Sequence, residues 1–304
     1  MSLIIGSLQL SLIYSILAMG VYISFRVLKT PDLTAEGSFT LGMAIMTMST
    51  INGHPILGII LSIIGGAVAG LVTGFFQTKL KIPAVLSGIL TTTGLYTINL
   101  MVMKGSSNLT LIGVTTVYDL AGKIIPLDYN RVKIFVSFLF VIVLVGIITT
   151  FFKTNCGLCI RAIGDNEKMA RSSSMNVDLY RILALMISNG LIALSGGLIA
   201  SDQGYADMNS GTGMLVVGLA AVVIGEAFIR NRSVLAGLIS CLLGSIVYRI
   251  IMAVAVKTRV FPAYSMKLIS AIIVTMALSI PVIQHYRKAY KLKRRRGDKN
   301  RARD

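Results

Sequence analysis

The chain has 304 residues, 55% of them hydrophobic and 13% charged, with a mean hydropathy of +0.80. Soluble domains carry about 25% charged residues, so the composition excludes a water-soluble enzyme and implies an all-α polytopic membrane protein. A net charge of +17 does not point to nucleic acid, because the basic residues cluster between apolar segments and in the tail "RKAYKLKRRRGDKNRARD", as the positive-inside rule produces.

Nine apolar segments are expected, at about 3–28, 38–51, 56–78, 84–103, 133–152, 180–201, 213–229, 233–256 and 264–286. Most are long enough to cross about 30 Å of hydrocarbon at about 1.5 Å per residue. Two are short, 38–51 and 213–229. The first begins at Leu3 and is followed by Pro31-Asp32, not by a small-residue cleavage site, so it reads as a retained span. Residues 1–286 form a transmembrane domain with a cytoplasmic loop at 153–179, and 287–304 a basic cytoplasmic tail. With the tail inside, the clusters at 230–232, 153–181, 79–81 and 26–29 also fall inside, which places the N-terminus outside.

Two polar, glycine-bearing breaks open the short segments: "PDLTAEGSFTLG" from Pro31 and "YADMNSGTGMLV" from Tyr205. Asp32-Leu33-Thr34-Ala35 can be laid against Asp207-Met208-Asn209-Ser210. The expected topology puts the first break inside and the second outside, the mark of an inverted repeat. Broken helices at matching positions of two halves point to a solute path. Asp32, Thr34, Glu36, Ser38, Asp207, Asn209 and Ser210, with Thr92 and Tyr96 on the fourth segment, are the candidate path residues. Taken singly, each also reads as a helix cap; their clustering carries the reading.

The polar stretch 152–182 contains "CGLC". Its spacing fits half a zinc site or a redox motif. A zinc site needs four ligands, however, and the third cysteine, Cys241, lies in an apolar segment, so Cys156 and Cys159 read as incidental. No metal, cofactor or phosphate-binding loop is implied. Downstream, Asp165 can cap a short amphipathic helix, with Glu167 near its positive end and Met169 and Ala170 on a face apart from Lys168 and Arg171. A helix that short needs a surface to rest on.

"GLCIRAIGDNEKMARSSSMNVDLYRI", "TPDLTAEGSFTLGMAI" and "GMLVVGLAAVVIGEAFI" together resemble permease subunits of ABC importers of the branched-chain amino acid class. Within that class the resemblance is to the subgroup named for tryptophan and tyrosine uptake. It covers about residues 10–285, and departs at Ser172-Ser173-Ser174-Met175, where the pattern has a glycine before the asparagine.

The resemblance implies that Gly164, Asp165, Asn166, Glu167, Met169, Ala170 and Arg171 form a coupling helix docked on a separate cytoplasmic ATPase. It also implies an extracytoplasmic solute-binding lipoprotein, a permease homodimer with the pore between two copies, a bacterial cytoplasmic membrane, and an aromatic amino acid as solute. Branched-chain amino acids or another small metabolite remain alternatives. A second class, an ion-coupled secondary transporter, fits the broken helices equally. An intramembrane enzyme does not, because no HExxH, paired mid-membrane aspartates or Ser/His pair is present.

Overall fold

The computed structural model describes residues 2–124, 128–229, 233–257, 268–276 and 279. Apolar sequence unbroken by proline makes α1 (Ser2–Tyr22), which runs on as a π-helical turn at Ile23–Val27. It stops where Lys29 turns left-handed (φ 55°) ahead of Pro31. α2 (Thr34–Ile51) follows, then α3 (Pro55–Thr78), which has proline in its first turn, where no N–H is missed. α4 (Ala84–Val102), β1 (Asn108–Thr110), α5 (Val117–Ile124) and α6 (Tyr129–Phe151) come next. α7 (Asn155–Asp165) and α8 (Glu167–Ser172) fill the long polar connection. α9 (Val177–Gln203), β2 (Tyr205–Asp207), α10 (Met214–Phe228) and α11 (Val234–Lys257) complete the order. Residues 268–276 are also helical.

Among the described residues six helices are long and apolar enough to span: Gly6–Val27, Pro55–Thr78, Ala84–Val102, Tyr129–Phe151, Val177–Gln203 and Val234–Lys257. The expected segment 38–51 starts earlier, at Thr34, and α2 is not among the six. α10 has 15 residues, about 22 Å long and short of the hydrocarbon thickness. The expected segment 264–286 lies largely outside the described residues, as do the basic cluster 230–232 and the tail 287–304.

α1 and α9 are the two central helices, with 83% and 78% of their apolar windows buried. They run antiparallel. The Ser188 hydroxyl donates to the Gly20 carbonyl (2.8 Å) and that of Ser195 to Ile13 (2.9 Å). α9 packs on α2 and α3, and α1 packs on α10 and α11. Small residues permit this in a membrane, where close backbone packing replaces the hydrophobic drive. A Cβ on Gly66 or Gly70 of α3 would overlap the carbonyl of Asn189 or Leu185, and one on Gly42 of α2 that of Ala193.

The end carrying α7 and α8 is called lower here and the opposite end upper. At the upper end β1 and β2 pair antiparallel, with Asn108 opposite Asp207, and join the connections that follow α4 and α9.

Candidate functional site

At the lower end, Thr154 caps α7 by accepting the Gly157 N–H (3.4 Å). Cys156 and Cys159 sit in the first turns of this helix. Ile160 and Ile163 are buried, and a Cβ on Gly164 would overlap the Val27 carbonyl, so α7 is bedded against the end of α1. Asn166, with φ −154°, breaks the helix, and its side chain caps α8 by accepting the Met169 N–H (3.1 Å).

Four ion pairs then brace α8 and the end of α7. Lys29 reaches Asp165 (2.9 Å), Arg181 reaches Glu167 (2.7 Å), and Arg171 bridges Glu167 (3.0 Å) and Asp178 (3.1 Å). Partial burial pushes the Glu167 carboxyl up, but hydrogen bonds and charge from Arg181 and Arg171 outweigh it and hold the group below its ordinary value. Each exposed pair contributes little; together they fix the helix orientation from α1 and α9. Ala170 points inward, 3% exposed, and Met169 points away, 67% exposed. The result is a short, rigidly held helix with one apolar side chain presented outward.

Above it lies a cavity of about 460 Å³ between α2, α4 and the 208–212 turn. Of the candidate path residues, Glu36, Thr92, Tyr96 and Asn209 line it together. Glu36 also accepts the Gly213 N–H (2.9 Å), so the carboxylate of the first short helix caps the start of the second. Asp207 accepts the Asn209 N–H (2.6 Å), and the Ser210 N–H bonds the Asp207 carbonyl (3.1 Å), which shapes the turn below them.

Asp32, Thr34 and Ser38 lie elsewhere, in a buried network. Asp32 accepts the Thr34 N–H (2.9 Å) and the Asn189 amide (2.6 Å), and Ser38 donates to Asn189 (2.8 Å). The Thr34, Thr73 and Thr91 hydroxyls form a chain at 2.7 and 2.9 Å. Both breaks thus open on an aspartate that bonds the N–H two residues on.

Three polar features escaped the sequence reading. Asn189 sits in the middle of α9 as the hub of the Asp32 network; its amide interrupts the apolar run "MISNGLIAL" and was legible as such. Lys133 and Asp202 form a largely buried pair (2.9 Å), with Gln9 donating to Asp202 and the Lys133 ammonium 4.8 Å from the centre of the Tyr129 ring. Arg249 of α11 stacks on Tyr14 (4.0 Å). Glu226, at the end of α10, pairs with Arg26 of the π-helical turn that ends α1.

Residues 3–277 match the family described as branched-chain amino acid transport system, permease component. A curated relative, the tyrosine transport system permease protein of Clostridioides difficile (strain R20291), is 38% identical over 280 residues, 92% of this chain and 91% of that one. The uncharacterized protein RP368 of Rickettsia prowazekii (strain Madrid E) is 35% identical over 286 residues, covering 92% and 98%. A chain of PsaBC from Streptococcus pneumoniae, solved in complex with Fab, shares the fold: TM-score 0.50, 15% identity and 89% coverage of each chain. Permease components of this class work with an ATPase and a substrate-binding protein, and the match separates the chain from ion-coupled secondary transporters. The chain therefore belongs to the branched-chain amino acid transport system permease family: it is a multi-pass membrane permease subunit of an ABC importer, not an enzyme, and ATP hydrolysis sits on a separate subunit.

Proposed function

We propose that this permease carries an aromatic amino acid, with tyrosine the first candidate, through a path between two copies of itself, and that α8 is its coupling helix. The observation that carries the coupling role is the bracing of α8 by Lys29, Arg171 and Arg181 while Met169 is left facing outward. A helix pinned to α1 and α9 moves only with them, so closure of an ATPase pressed on Met169 is transmitted to the two central helices. On this reading Asp165, Asn166, Glu167, Met169 and Arg171 form the coupling surface, and Gly164 and Ala170 seat the helix on the bundle beneath it. The lower end is then cytoplasmic, and with it the C-terminal tail, in a bacterial plasma membrane.

The exchange of partners between the halves supports an inverted repeat, because α9 packs on α2 and α3 as α1 packs on α10 and α11. The matching aspartate turns at Asp32 and Asp207 support it too. The path runs by Glu36, Thr92, Tyr96 and Asn209; Asp32, Thr34, Ser38, Asp207 and Ser210 hold its two walls in place. Tyrosine rests on the curated relative's name. Leucine-like solutes are the second reading, favoured by the family description.

In a Cys156→Ser, Cys159→Ser background, Met169→Cys is expected to cross-link to the partner ATPase, and Arg171→Glu to abolish uptake in a reconstituted system while the protein stays folded. Unchanged uptake by the Arg171 variant removes α8 from the coupling role. Competition between labelled tyrosine and leucine for uptake decides the solute.

A further inference from the structure

We propose that the groove between α3 and α4 is a binding site for an anionic phospholipid, its acyl chain lying along the groove and its headgroup held by Lys79 and Lys81. The groove has a volume of about 390 Å³ and is walled by Val68, Val72 and Phe76 of α3 and by Leu90, Gly94 and Ile98 of α4. Its one polar side chain is Thr91, whose hydroxyl is already bonded to Thr73 and to the Ser87 carbonyl. Water has no partner there, and in hydrocarbon such a groove takes an apolar chain.

Charge selects the kind of chain. The 79–83 turn joins the lower ends of the two helices that wall the groove, and its Ile82 N–H bonds the carbonyl of the groove residue Phe76 (3.0 Å). Both lysines of that turn are exposed, and among the described residues neither is in an ion pair. Asp178 faces the same small hollow as Lys79 but is held by Arg171 at 3.1 Å. Two cations outside any ion pair, in the turn one step beyond the groove residue Phe76, complement a lipid phosphate in the same leaflet.

A second copy of the chain is the other apolar occupant, and the faces of α4 argue against it. At 100° per residue, the groove-lining Leu90, Gly94 and Ile98 centre about 100° round the helix from the exposed polar side formed by Thr93, Tyr96 and Thr97. On the homodimer reading proposed above, the second copy covers the polar side, which leaves the groove to lipid.

The chain contains no tryptophan, so Phe76→Trp places a single tryptophan in the groove, which excitation at the red edge of the indole band reads apart from the tyrosines. In vesicles, brominated phosphatidylglycerol is expected to quench it in preference to brominated phosphatidylcholine. The preference is about five-fold for each lysine and is lost in the Lys79→Gln, Lys81→Gln variant. Gly94→Leu, at a position with open space beyond the backbone, is expected to weaken quenching by both lipids. Phe138→Trp on the outward face of α6 serves as the bulk-lipid control and shows no preference. Equal quenching by the two lipids at Phe76→Trp overturns the proposal in favour of unselective lipid. Absence of quenching by either overturns it in favour of a protein covering, and would also count against the homodimer arrangement. Tyrosine uptake and cross-linking at α8 are independent of either outcome.

Discussion

Ser174 turns the chain from α8 into α9 with φ 58°, a left-handed conformation in a residue with a side chain. Such a conformation costs a non-glycine residue about 1–2 kcal/mol, and glycine forgoes about 0.5–1 kcal/mol of that through its freer unfolded chain. The permease pattern that this loop resembles carries before the asparagine a glycine, a residue that takes such a conformation without strain. Ser174→Gly is expected to raise the thermal unfolding midpoint in detergent by about 1 °C; a fall would mean that the Ser174 side chain contributes a contact worth more than the strain. Asn189 makes the opposite case. Its amide satisfies Asp32 and Ser38 at once, both of them buried. Asn189→Ala strips a buried carboxylate and a buried hydroxyl of partners and is expected to destabilise by about 2–4 kcal/mol, read from the same melts. A shift no larger than that of an exposed alanine substitution on α3 would show that the network reorganises around the loss. Sequence reading drew attention to the acid at the break and passed over the amide, because the contact between them joins residues 157 positions apart.

At the scale of elements, hydropathy was enough to place the long helices, because a bilayer leaves a spanning chain few alternatives to helix. It was not enough for α7. The stretch from Asn155 to Asp165 reads as polar loop, and its helix exists because Ile160 and Ile163 are buried and Gly164 meets the end of α1; an isolated helix of that length is marginal. α8 was legible from its charge order but not from its cap: Asp165, the expected cap, ends α7, and Asn166 beside it caps α8 because its extended backbone lets the amide reach the Met169 N–H. The ion pairs that orient it also come from Lys29 and Arg181, outside its own sequence. Those pairs give α8 a defined pH response. The Glu167 pKa is lowered on folding from an ordinary value of 4.5. The stabilisation is therefore complete above that ordinary value and is lost as pH falls through the lower, folded one. A nitroxide on Ser172→Cys, in the background lacking Cys156 and Cys159, is expected to keep constant mobility from neutral pH down to the ordinary carboxyl range and to loosen in acid below it. Loosening near neutrality would assign the bracing to some other group.

The whole molecule presents faces of different chemistry to its surroundings. α6 shows Phe135, Phe138, Leu139, Ile142 and Ile147 outward, a surface suited to lipid. α4 instead exposes Thr93, Tyr96 and Thr97 beside the cavity. The Thr93 hydroxyl returns to the Ile89 carbonyl (2.9 Å) and so tolerates hydrocarbon, but a tyrosine 56% exposed at the rim of a polar cavity does not suit a purely lipid-facing wall. The composition of α4 was visible in the sequence; the distribution of its polar residues over one face became meaningful once α2 and the 208–212 turn were placed against it. In a two-fold pair, a residue on the axis meets its own copy, and one away from it does not. If the polar face of α4 lines a path shared by two copies, residues along it lie close to that axis. With Cys156 and Cys159 replaced by serine, Thr97→Cys is expected to form a covalent dimer on mild oxidation in native membranes, and Ile147→Cys on α6, 60% exposed, to stay monomeric. Excess substrate-binding protein loaded with solute should slow the Thr97 cross-link, because the cavity behind it is then occupied. A cross-link at Ile147 without one at Thr97 would move the interface to α6 and leave the α4 cavity as a vestibule within a single chain.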